Sequence, residues 1–273
     1  MAERMRLEGR TAVITGAAGG IGRAIAVSLA RRGCHLALAD VDEAGMAGTA
    51  DLVRSNGVRV SRHHLDVADR VGVAEFPARV AAEHPGVDLL VNNAGVAVGG
   101  TFDQVSEEDF EWLFEINFWG VVRMTRAFMP ALRASGDSRV VNLSSVFGLI
   151  APPEHVAYVA SKFAVRGFSE ALRHELDGSG VGVTVVHPGG VATSISTKAR
   201  IPAGVSAEEV ERRLEQFRKL LRLPAEVAGE TIVRGIERRK ARVLVGSDAK
   251  VISAIARMMP VSYWKVLALR AGR

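Results

Sequence analysis

The sequence predicts an α/β fold, in which a central, mostly parallel sheet of seven strands lies between two layers of helices as a doubly wound three-layer sandwich. Two observations predict this architecture. Apolar runs alternate with segments of helical period along the chain, and such alternation favours parallel strands joined by right-handed crossovers. Several runs are continuous stretches of valine, leucine and alanine, which is typical of strands covered by helices on both faces.

The predicted elements follow one another without a proline- or serine-rich linker. The strands are Thr11–Thr15, His35–Ala39, Arg59–Leu65, Asp88–Asn92, Arg139–Leu143, Gly182–His187 and Arg242–Val245. The helices are Ile21–Arg32, Glu43–Ser55, Arg70–Glu83, Glu107–Ala134 and Ala157–Leu176, with a charged candidate at Ala207–Leu220. We therefore expect one domain over residues 1–273, in which a polar region at 193–224 and a C-terminal extension at 248–273 break the alternation.

Composition narrows the class of protein. The chain has 273 residues, of which 48% are hydrophobic and 24% charged, as expected for a globular protein with a substantial core. The only cysteine, Cys34, excludes an internal disulfide, and no Cys/His cluster has zinc-site spacing, so we expect no metal site. The segment before residue 11 has no signal-peptide core, and a cytoplasmic location is expected.

The net charge of +5 raises the question of a nucleic-acid or anionic-lipid partner. The arginines are dispersed over helical stretches, aromatic residues make up only 5% of the chain, and no nucleic-acid-binding module is recognisable. We therefore expect a solvated, arginine-rich surface and no nucleic-acid partner.

A glycine-rich turn, TGAAGGIG at Thr15–Gly22, joins the first strand to the first helix. Phosphate groups need bare backbone amides and the positive end of a helix, and side chains would block their approach. The spacing of Gly16, Gly20 and Gly22 differs from Gly-x-Gly-x-x-Gly, but the strand–turn–helix context is the one that this fingerprint requires. The turn, including Ile21, is predicted to bind a dinucleotide, and the alternative is a tight connection without a ligand.

The second strand leads into Asp40, eighteen residues beyond Gly22. A carboxylate there can accept hydrogen bonds from both hydroxyls of an adenosine ribose and would repel a 2′-phosphate. Position 19 is glycine rather than a basic residue, and Arg23 lies inside the helix start. These features favour NAD over NADP. In the alternative interpretation Asp40 only caps the next helix, a role for which Asp42 also qualifies.

Tyr158 and Lys162 lie one helical turn apart and share a helix face. A nearby cation favours phenolate over phenol, which lowers the pKa of tyrosine from about 10. Tyr158 could then exchange a proton with a carbonyl or an alcohol. The pair alone is weak evidence, since any amphipathic helix can produce it by chance.

Further motifs occur in order along the chain. They are Leu65-Asp66-Val67, Asn92-Asn93-Ala94-Gly95, Asn117 in Ile116–Gly120, Asn142-Leu143-Ser144-Ser145, and Pro188-Gly189-Gly190-Val191-Ala192-Thr193. With the glycine turn and the Tyr158–Lys162 pair, they resemble the short-chain dehydrogenase/reductase family over about residues 8–246. The resemblance implies a Rossmann-type fold, and the thirteen-residue spacing to Tyr158 selects Ser145 over Ser144.

The resemblance also implies the site residues and their roles. The catalytic set is Asn117, Ser145, Tyr158 and Lys162. The NAD-binding set is Gly16, Gly20, Ile21, Gly22, Asp40, Asp66, Val67, Asn93, Ala94, Gly95, Tyr158, Lys162, Pro188, Gly189, Val191 and Thr193. Tyr158 would act as general acid and base, Ser145 would donate to the substrate oxygen, Lys162 would stabilise the phenolate and hold the nicotinamide ribose, and Asn117 would hold a water for proton relay.

The expected reaction interconverts a secondary alcohol and a ketone or aldehyde, on an apolar small-molecule substrate. Candidate walls near the site are Val96, Val98, Val146, Phe147, Leu149, Ile150, Pro152 and Pro153, and the region 193–224, the family's substrate loop, adds Ile195, Ile201, Leu214, Phe217, Leu220 and Leu221. One alternative is an NADPH-dependent β-ketoacyl thioester reductase, against which Asp40 argues. Another is a cofactor-sensing binding protein, which has no need of all four catalytic residues.

The extension is apolar and basic, and Arg257, Pro260 and Lys265 interrupt it too often for a membrane span. Packing against a partner subunit or over the substrate pocket is the favoured interpretation, and peripheral membrane contact is the alternative. The family resemblance implies a homodimer or homotetramer, formed through the helices at about 107–134 and 157–176.

Overall fold

A computed structural model describes residues 4–195 and 197–270 and places seven strands in one sheet, in the order β3-β2-β1-β4-β5-β6-β7. The strands are β1 (Thr11–Thr15), β2 (His35–Asp40), β3 (Val60–His64), β4 (Leu89–Asn92), β5 (Ser138–Leu143), β6 (Val181–Pro188) and β7 (Arg242–Val245). Every pairing between neighbouring strands is parallel. The predicted fold class is confirmed, with a sheet that is parallel throughout rather than mostly parallel.

The helices cover both faces of the sheet. They are α1 (Gly20–Ala30), α2 (Glu43–Val53), α3 (Arg70–Ala81), α4 (Glu107–Phe114), α5 (Gly120–Ser135), α6 (Val156–Glu175), α7 (Ala207–Leu220), α8 (Ala225–Glu237), α9 (Ser247–Met258) and α10 (Tyr263–Arg270). Short 3₁₀ turns lie at Arg54–Asn56 and Val146–Gly148. The helix α8 occupies a segment where no helix is predicted from the sequence.

Two hydrophobic cores lie on opposite faces of the sheet, because successive side chains of a strand point in opposite directions. In β1, Ala12 and Ile14 belong to the core under α1, α2 and α8, while Val13 belongs to the core under α3, α5 and α6. All five residues of β1 are buried. Burial on both faces explains why the strands read as continuous apolar runs.

The predicted helix Glu107–Ala134 is divided in the structure. A π-helical segment, Glu115–Trp119, separates α4 from α5, and the backbone N–H of Gly120 bonds to the carbonyl of Glu115, five residues back. Such single π turns often occur at functional sites, and Asn117 lies inside this one. The other predicted helices and strands are present in the structure. Their ends differ from the predicted ones by at most two residues.

The C-terminal extension folds back onto the body of the protein. Its α9 lies beside β7 and the 3₁₀ turn Val146–Gly148. The Tyr263 hydroxyl accepts a hydrogen bond from the backbone N–H of Ala151 at 2.9 Å. Residues 271–273 of the predicted extension lie outside the described residues. Within the described ranges, no helix is both long enough and apolar enough to cross a bilayer.

Candidate active site

The carboxyl ends of the strands bring the predicted motifs to one edge of the sheet. β1 pairs with β2 on one side and with β4 on the other, so successive crossovers leave β1 in opposite directions. This is a topological switch point, where open parallel sheets form their ligand crevices. The turn after β1, the segment after β4 and the segment after β5 all begin at this edge.

The glycine turn is built for close backbone approach. Gly16 has a φ of +66°, which favours glycine, and a Cβ on Gly22 would overlap the carbonyl oxygen of Gly16. Asn93 Nδ2 donates to the carbonyl oxygens of Thr15 and Gly16, at 3.0 Å each, and so holds the turn against the end of β4. No side chain caps the first turn of α1, whose N-cap is Gly19. Its terminal amides are therefore available to an anion.

Asp40 lies beside the glycine turn. Its carboxylate accepts hydrogen bonds from the backbone N–H groups of Ala18 at 2.9 Å and Asp42 at 3.0 Å. A carboxylate has about four acceptor positions, so two remain. The helix α2 is capped by Asp42, which accepts from the N–H of Gly45 at 2.8 Å. The interpretation that Asp40 serves only as a helix cap is therefore wrong.

Arg23, the nearest basic side chain in sequence to the glycine turn, is held by the protein itself. Its Nε donates to Thr49 Oγ1 at 3.0 Å, and its terminal nitrogen donates to the carbonyl oxygens of Gly45, at 3.1 Å, and Ala18. Because these bonds tie the guanidinium to α2 and to the glycine turn, Arg23 is not poised to receive a phosphate.

The residues after β3 and β4 line the same edge. Asp66 is exposed and accepts from the N–H of Ala68 at 2.9 Å, while Val67 is buried against the start of α5. The N–H groups of Asn93 and Ala94 both donate to Thr15 Oγ1, at 3.0 and 3.1 Å. Thr15, the first residue of the glycine turn, thereby links the turn to the end of β4, a role that its residue type does not predict.

The structure brings Ser145, Tyr158 and Lys162 together. The side chain of Ser145 lowers the pKa of Tyr158, as a hydrogen-bond donor to the phenol oxygen would, and Lys162 Nζ lies 5.5 Å from the centroid of the Tyr158 ring. Lys162 Nζ also donates to the carbonyl oxygen of Leu143 at 3.1 Å. Ser144 is buried and turned away, with its hydroxyl donating to the carbonyl of Lys162 at 2.8 Å. The geometry thus agrees with the choice of Ser145 over Ser144.

Burial is the largest influence on the pKa values of both Tyr158 and Lys162. Burial raises the pKa of Tyr158 to about 12, and the hydrogen bond with Ser145 opposes that rise. Burial also lowers the pKa of Lys162 to about 8. In the chain by itself, burial of the phenol outweighs any lowering of its pKa by Lys162, and the predicted stabilisation of the phenolate by Lys162 together with the oxidised nicotinamide stays a prediction.

Asn117 is completely buried and braces the segment after β4. Its Oδ1 accepts from the N–H of Val96 at 2.8 Å, and its Nδ2 donates to the carbonyl of Val96 at 2.9 Å and to Ser161 Oγ at 3.3 Å. These bonds fix the chain at Gly95 and Val96 against α6. The side-chain amide is thus committed to positioning, and the predicted water-holding role of Asn117 stays a prediction.

The loop after β6 covers the start of α1. The N–H of Gly189 donates to the carbonyl of Val245 at 2.9 Å, and the N–H of Gly190 donates to Asp248 Oδ2 at 2.7 Å. Val191 is buried, and the side chain of Thr193 lies against Gly20. Together with Pro188, this loop therefore faces the glycine turn. Asp248 was not found from the sequence, since it lies in the extension, far along the chain.

Only some of the predicted substrate walls surround Tyr158. The Phe147 ring packs edge-on against Tyr158 at 6.0 Å and stacks on His155 at 5.3 Å, and Val96 and Val98 share a cluster with Tyr158. Leu149 and Ile150 are buried. In the loop region, the side chains of Ile201 and Leu220 are 57% and 67% exposed, and their role as substrate walls stays a prediction. The side chains of Leu214 and Phe217 lie outside the described residues.

Comparison with known proteins gives a consistent result. The sequence pattern of the family described as short chain dehydrogenase matches residues 10–203. A Mycobacterium tuberculosis protein named as an oxidoreductase, SadH, is 45% identical over 264 residues, which is 96% of this chain and 95% of that protein.

Solved structures show the same relationship. A short-chain dehydrogenase/reductase from Burkholderia phymatum in complex with NAD is 31% identical, with a TM-score of 0.86 over 93% of this chain and 95% of its own. A metagenomic short-chain oxidoreductase in complex with NADP is 32% identical, with a TM-score of 0.65 over 68% of this chain and 85% of its own. The chain belongs to the short-chain dehydrogenase/reductase family of oxidoreductases.

Proposed function

We propose that the protein is an NAD(H)-dependent oxidoreductase that interconverts a secondary alcohol and a ketone or aldehyde, with Tyr158 as general acid and base. The observation that carries this proposal is the grouping of Tyr158 with Lys162 and with Ser145, whose side chain lowers the pKa of the phenol, at the sheet edge that also carries the glycine turn. NAD, when bound, accepts a hydride from the alcohol carbon, and NADH returns one to the carbonyl carbon.

The residues present fit a dinucleotide. The uncapped start of α1 and the bare turn Gly16–Gly22 suit the diphosphate, Asp40 suits the adenosine ribose, and Asp66 and Val67 suit the adenine. The nicotinamide end would be held by the residues that follow β4 and β6, and by Tyr158 and Lys162. Those residues are Asn93, Ala94, Gly95, Tyr158, Lys162, Pro188, Gly189, Val191 and Thr193.

The negative charge of Asp40 and the internal hydrogen bonds of Arg23 both favour NAD over NADP. The carboxylate of Asp40 would repel a 2′-phosphate, and the guanidinium of Arg23 is already engaged by Ala18, Gly45 and Thr49. The Burkholderia phymatum relative in complex with NAD supports the same preference. The metagenomic relative in complex with NADP makes the opposite preference the natural alternative.

In the proposed mechanism the residues of the chain move a proton and stabilise charge. Tyr158 takes the hydroxyl proton in oxidation and returns it in reduction, a contribution typically worth about 10²–10⁴-fold. Ser145 donates to the substrate oxygen, where negative charge develops in the transition state. The ammonium of Lys162 stabilises the phenolate and holds the nicotinamide ribose, and Asn117 contributes a water to the proton path.

An apolar substrate is proposed because the side chains beside Tyr158 are apolar. Phe147 contacts the Tyr158 ring, and Val96 and Val98 complete the same cluster. The extension adds Tyr263 next to Ala151, which supports its predicted role as part of the pocket cover. The β-ketoacyl thioester reductase and the cofactor sensor are the competing functions.

We also propose a homodimer or homotetramer formed through α5 and α6. Near the junction of these helices, the side chain of Trp119 is 45% exposed and that of Phe163 39% exposed, although both are large and apolar. Phe118, in the π-helical segment that leads into α5, packs edge-on against Phe168 of α6 at 6.3 Å. Burial against another subunit would remove the exposed apolar surface of Trp119 and Phe163 from water.

Titration of the purified protein with NAD and with NADP, followed by a substrate panel, tests the proposed function. We expect tighter binding of NAD, and reduction of NAD by hydrophobic secondary alcohols in preference to polyols of similar length. NADPH-dependent reduction of a β-ketoacyl thioester, with no NAD-linked activity, would support the competing reductase. Tight dinucleotide binding with no turnover on any substrate class would support the sensor.

A further inference from the structure

His187, near the end of β6, is a completely buried histidine that the mechanism above does not use. Its Nδ1 lies 2.9 Å from the carbonyl oxygen of Ser145. A carbonyl oxygen can only accept, so Nδ1 carries the proton and donates it. The other ring nitrogen, Nε2, is buried and has no hydrogen-bond partner in the described part of the chain. The ring is therefore a one-sided donor aimed at the backbone of Ser145.

This contact lies where the ladder between β5 and β6 ends. The N–H of Ser144 still bonds to the carbonyl of Val186 at 2.9 Å, but the next position of β6 that would donate to β5, two residues on, is Pro188, which has no N–H to donate. The imidazole of His187 supplies a donor beyond that point. The carbonyl of Ser145 also accepts from the N–H of Gly148 at 2.9 Å, so two donors fix its direction.

The charge state of His187 does not change near neutral pH. Burial lowers the pKa of the imidazole to about 4, against the hydrogen bond with the Ser145 carbonyl, which raises it; the Arg242 and Arg166 guanidinium groups lower the pKa further, and Glu170 raises it. Glu170 is itself paired with Arg166 at 3.1 Å and with Arg242 at 2.7 Å. A second proton on Nε2 would be a buried donor without a partner, which is unfavourable. The imidazole thus stays neutral and keeps one tautomer.

Building on the function proposed above, we propose that His187 is a positioning residue, whose Nδ1–H holds the Ser145 backbone so that the Ser145 hydroxyl meets Tyr158. Within the described residues, the only hydrogen bond of the Ser145 side chain is the one that its Oγ accepts from the N–H of Phe147 at 3.1 Å, and the same side chain lowers the pKa of Tyr158. Loss of the imidazole donor would leave the Ser145 carbonyl with the N–H of Gly148 as its one donor among those residues. The Ser145 hydroxyl would then be directed less firmly towards Tyr158.

Three substitutions separate positioning from simple packing. His187→Asn keeps an N–H donor on the atom bonded to Cγ, at about the place of Nδ1. His187→Gln moves its amide one bond further out, and His187→Leu fills the space without a donor. We expect kcat to fall about tenfold or more in the Gln and Leu variants and to stay within about threefold of wild type in the Asn variant, since loss of one directly acting donor costs about 10²–10³. The Kd for NAD should not change.

A readout that needs no turnover makes the test independent of the proposed function. The chain has only two tyrosines, Tyr158 and Tyr263. With carbon-13 at tyrosine Cζ, NMR at neutral pH gives one signal for each, and Tyr263→Phe assigns them. The Tyr158 signal, which is sensitive to hydrogen bonding of the phenol, should move in the Gln and Leu variants and stay in place in the Asn variant.

The possible outcomes are distinct. An unmoved Tyr158 signal in folded His187→Gln and His187→Leu, or an equal displacement in all three variants, would overturn the positioning role. If His187→Leu does not fold, the comparison of Asn with Gln decides. Absence of wild-type turnover would count against the proposed function, whereas the NMR result would still decide the role of His187.

Discussion

The hydroxyl of Tyr158 experiences two opposing influences within the protein. Burial raises its pKa to about 12, and the hydrogen bond with Ser145 acts in the opposite direction. One pKa unit corresponds to about 1.4 kcal/mol, so bringing the phenol into the neutral range requires several kcal/mol of further phenolate stabilisation. In the proposed mechanism this comes from Lys162 together with the positive charge of oxidised nicotinamide. Oxidation of alcohols should accordingly become faster as the pH rises into the alkaline range.

Motifs with distinctive residue types and spacing can be found from the sequence, whether they follow a strand, as Ser145 follows β5, or lie on a helix, as Tyr158 and Lys162 lie on α6. Ser145, Tyr158 and Lys162 were found in this way and lie together in the structure. His187 and Asp248 had no such signal. Their importance arises from one contact each with a distant backbone group, the Ser145 carbonyl and the Gly190 N–H, and neither contact has a sequence pattern.

Asp40 offers a residue-scale test of cofactor choice. Asp40→Asn removes the negative charge while keeping the size of the side chain, so we expect weaker NAD binding and stronger NADP binding. Hydrogen bonds to charged groups contribute roughly 1.5–3 kcal/mol, which corresponds to at least a tenfold loss of NAD affinity. Equilibrium titration of both dinucleotides measures the change.

A matched control lies two residues away. Asp42→Asn removes the same charge from the cap of α2, where asparagine caps as well as aspartate does. We expect it to leave both affinities close to wild type. If the two variants lose NAD affinity equally, the discrimination depends on general charge rather than on Asp40, and the proposed ribose contact is wrong.

At the scale of elements, the helical period was a reliable guide to the existence of a helix and a poor guide to its continuity. The segment Glu107–Ser135 is apolar on one face from end to end, so the inserted π turn at Glu115–Trp119 leaves no gap in the pattern. The π turn coincides with a long-range contact that the helical pattern does not record, the pairing of the Asn117 side-chain amide with the backbone of Val96.

The missed helix α8 has a different explanation. Ala228, Ile232, Val233 and Ile236 are buried and recur at helical spacing, so a signal was present in the sequence. It lay directly after the polar region 193–224, whose irregularity hid the change of pattern. The packing of α8 against α1 then completes the layer over one face of the sheet.

For the whole molecule, alternation of strands and helices was sufficient to predict a doubly wound sheet. It did not reveal the strand order, because periodicity records which face of an element is buried and not which element covers it. The order β3-β2-β1-β4-β5-β6-β7 follows from long-range pairings such as that of β1 with β4. That pairing places the glycine turn beside Asn93.

The proposed assembly is tested by placing negative charge at the exposed aromatic residues Trp119 and Phe163. We expect wild type to sediment as a dimer or tetramer, and Trp119→Glu combined with Phe163→Glu to sediment as a smaller species, because burial of a carboxylate in an apolar interface is unfavourable. Leu52→Glu is the matched control, since Leu52 is 58% exposed on α2, in the helix layer on the other face of the sheet. A monomeric wild type, or an unchanged double variant, would contradict the proposed interface.

The central claim is that Tyr158 is the proton donor and acceptor of an NAD-dependent oxidoreductase, and Tyr158→Phe tests it most directly. Phenylalanine keeps the ring that packs against Phe147 and removes only the hydroxyl. We predict that kcat for alcohol oxidation falls by about 10²–10⁴-fold, the typical value of general acid–base help, while NAD still binds. Turnover close to wild type in this variant, with NAD bound normally, would contradict the mechanism.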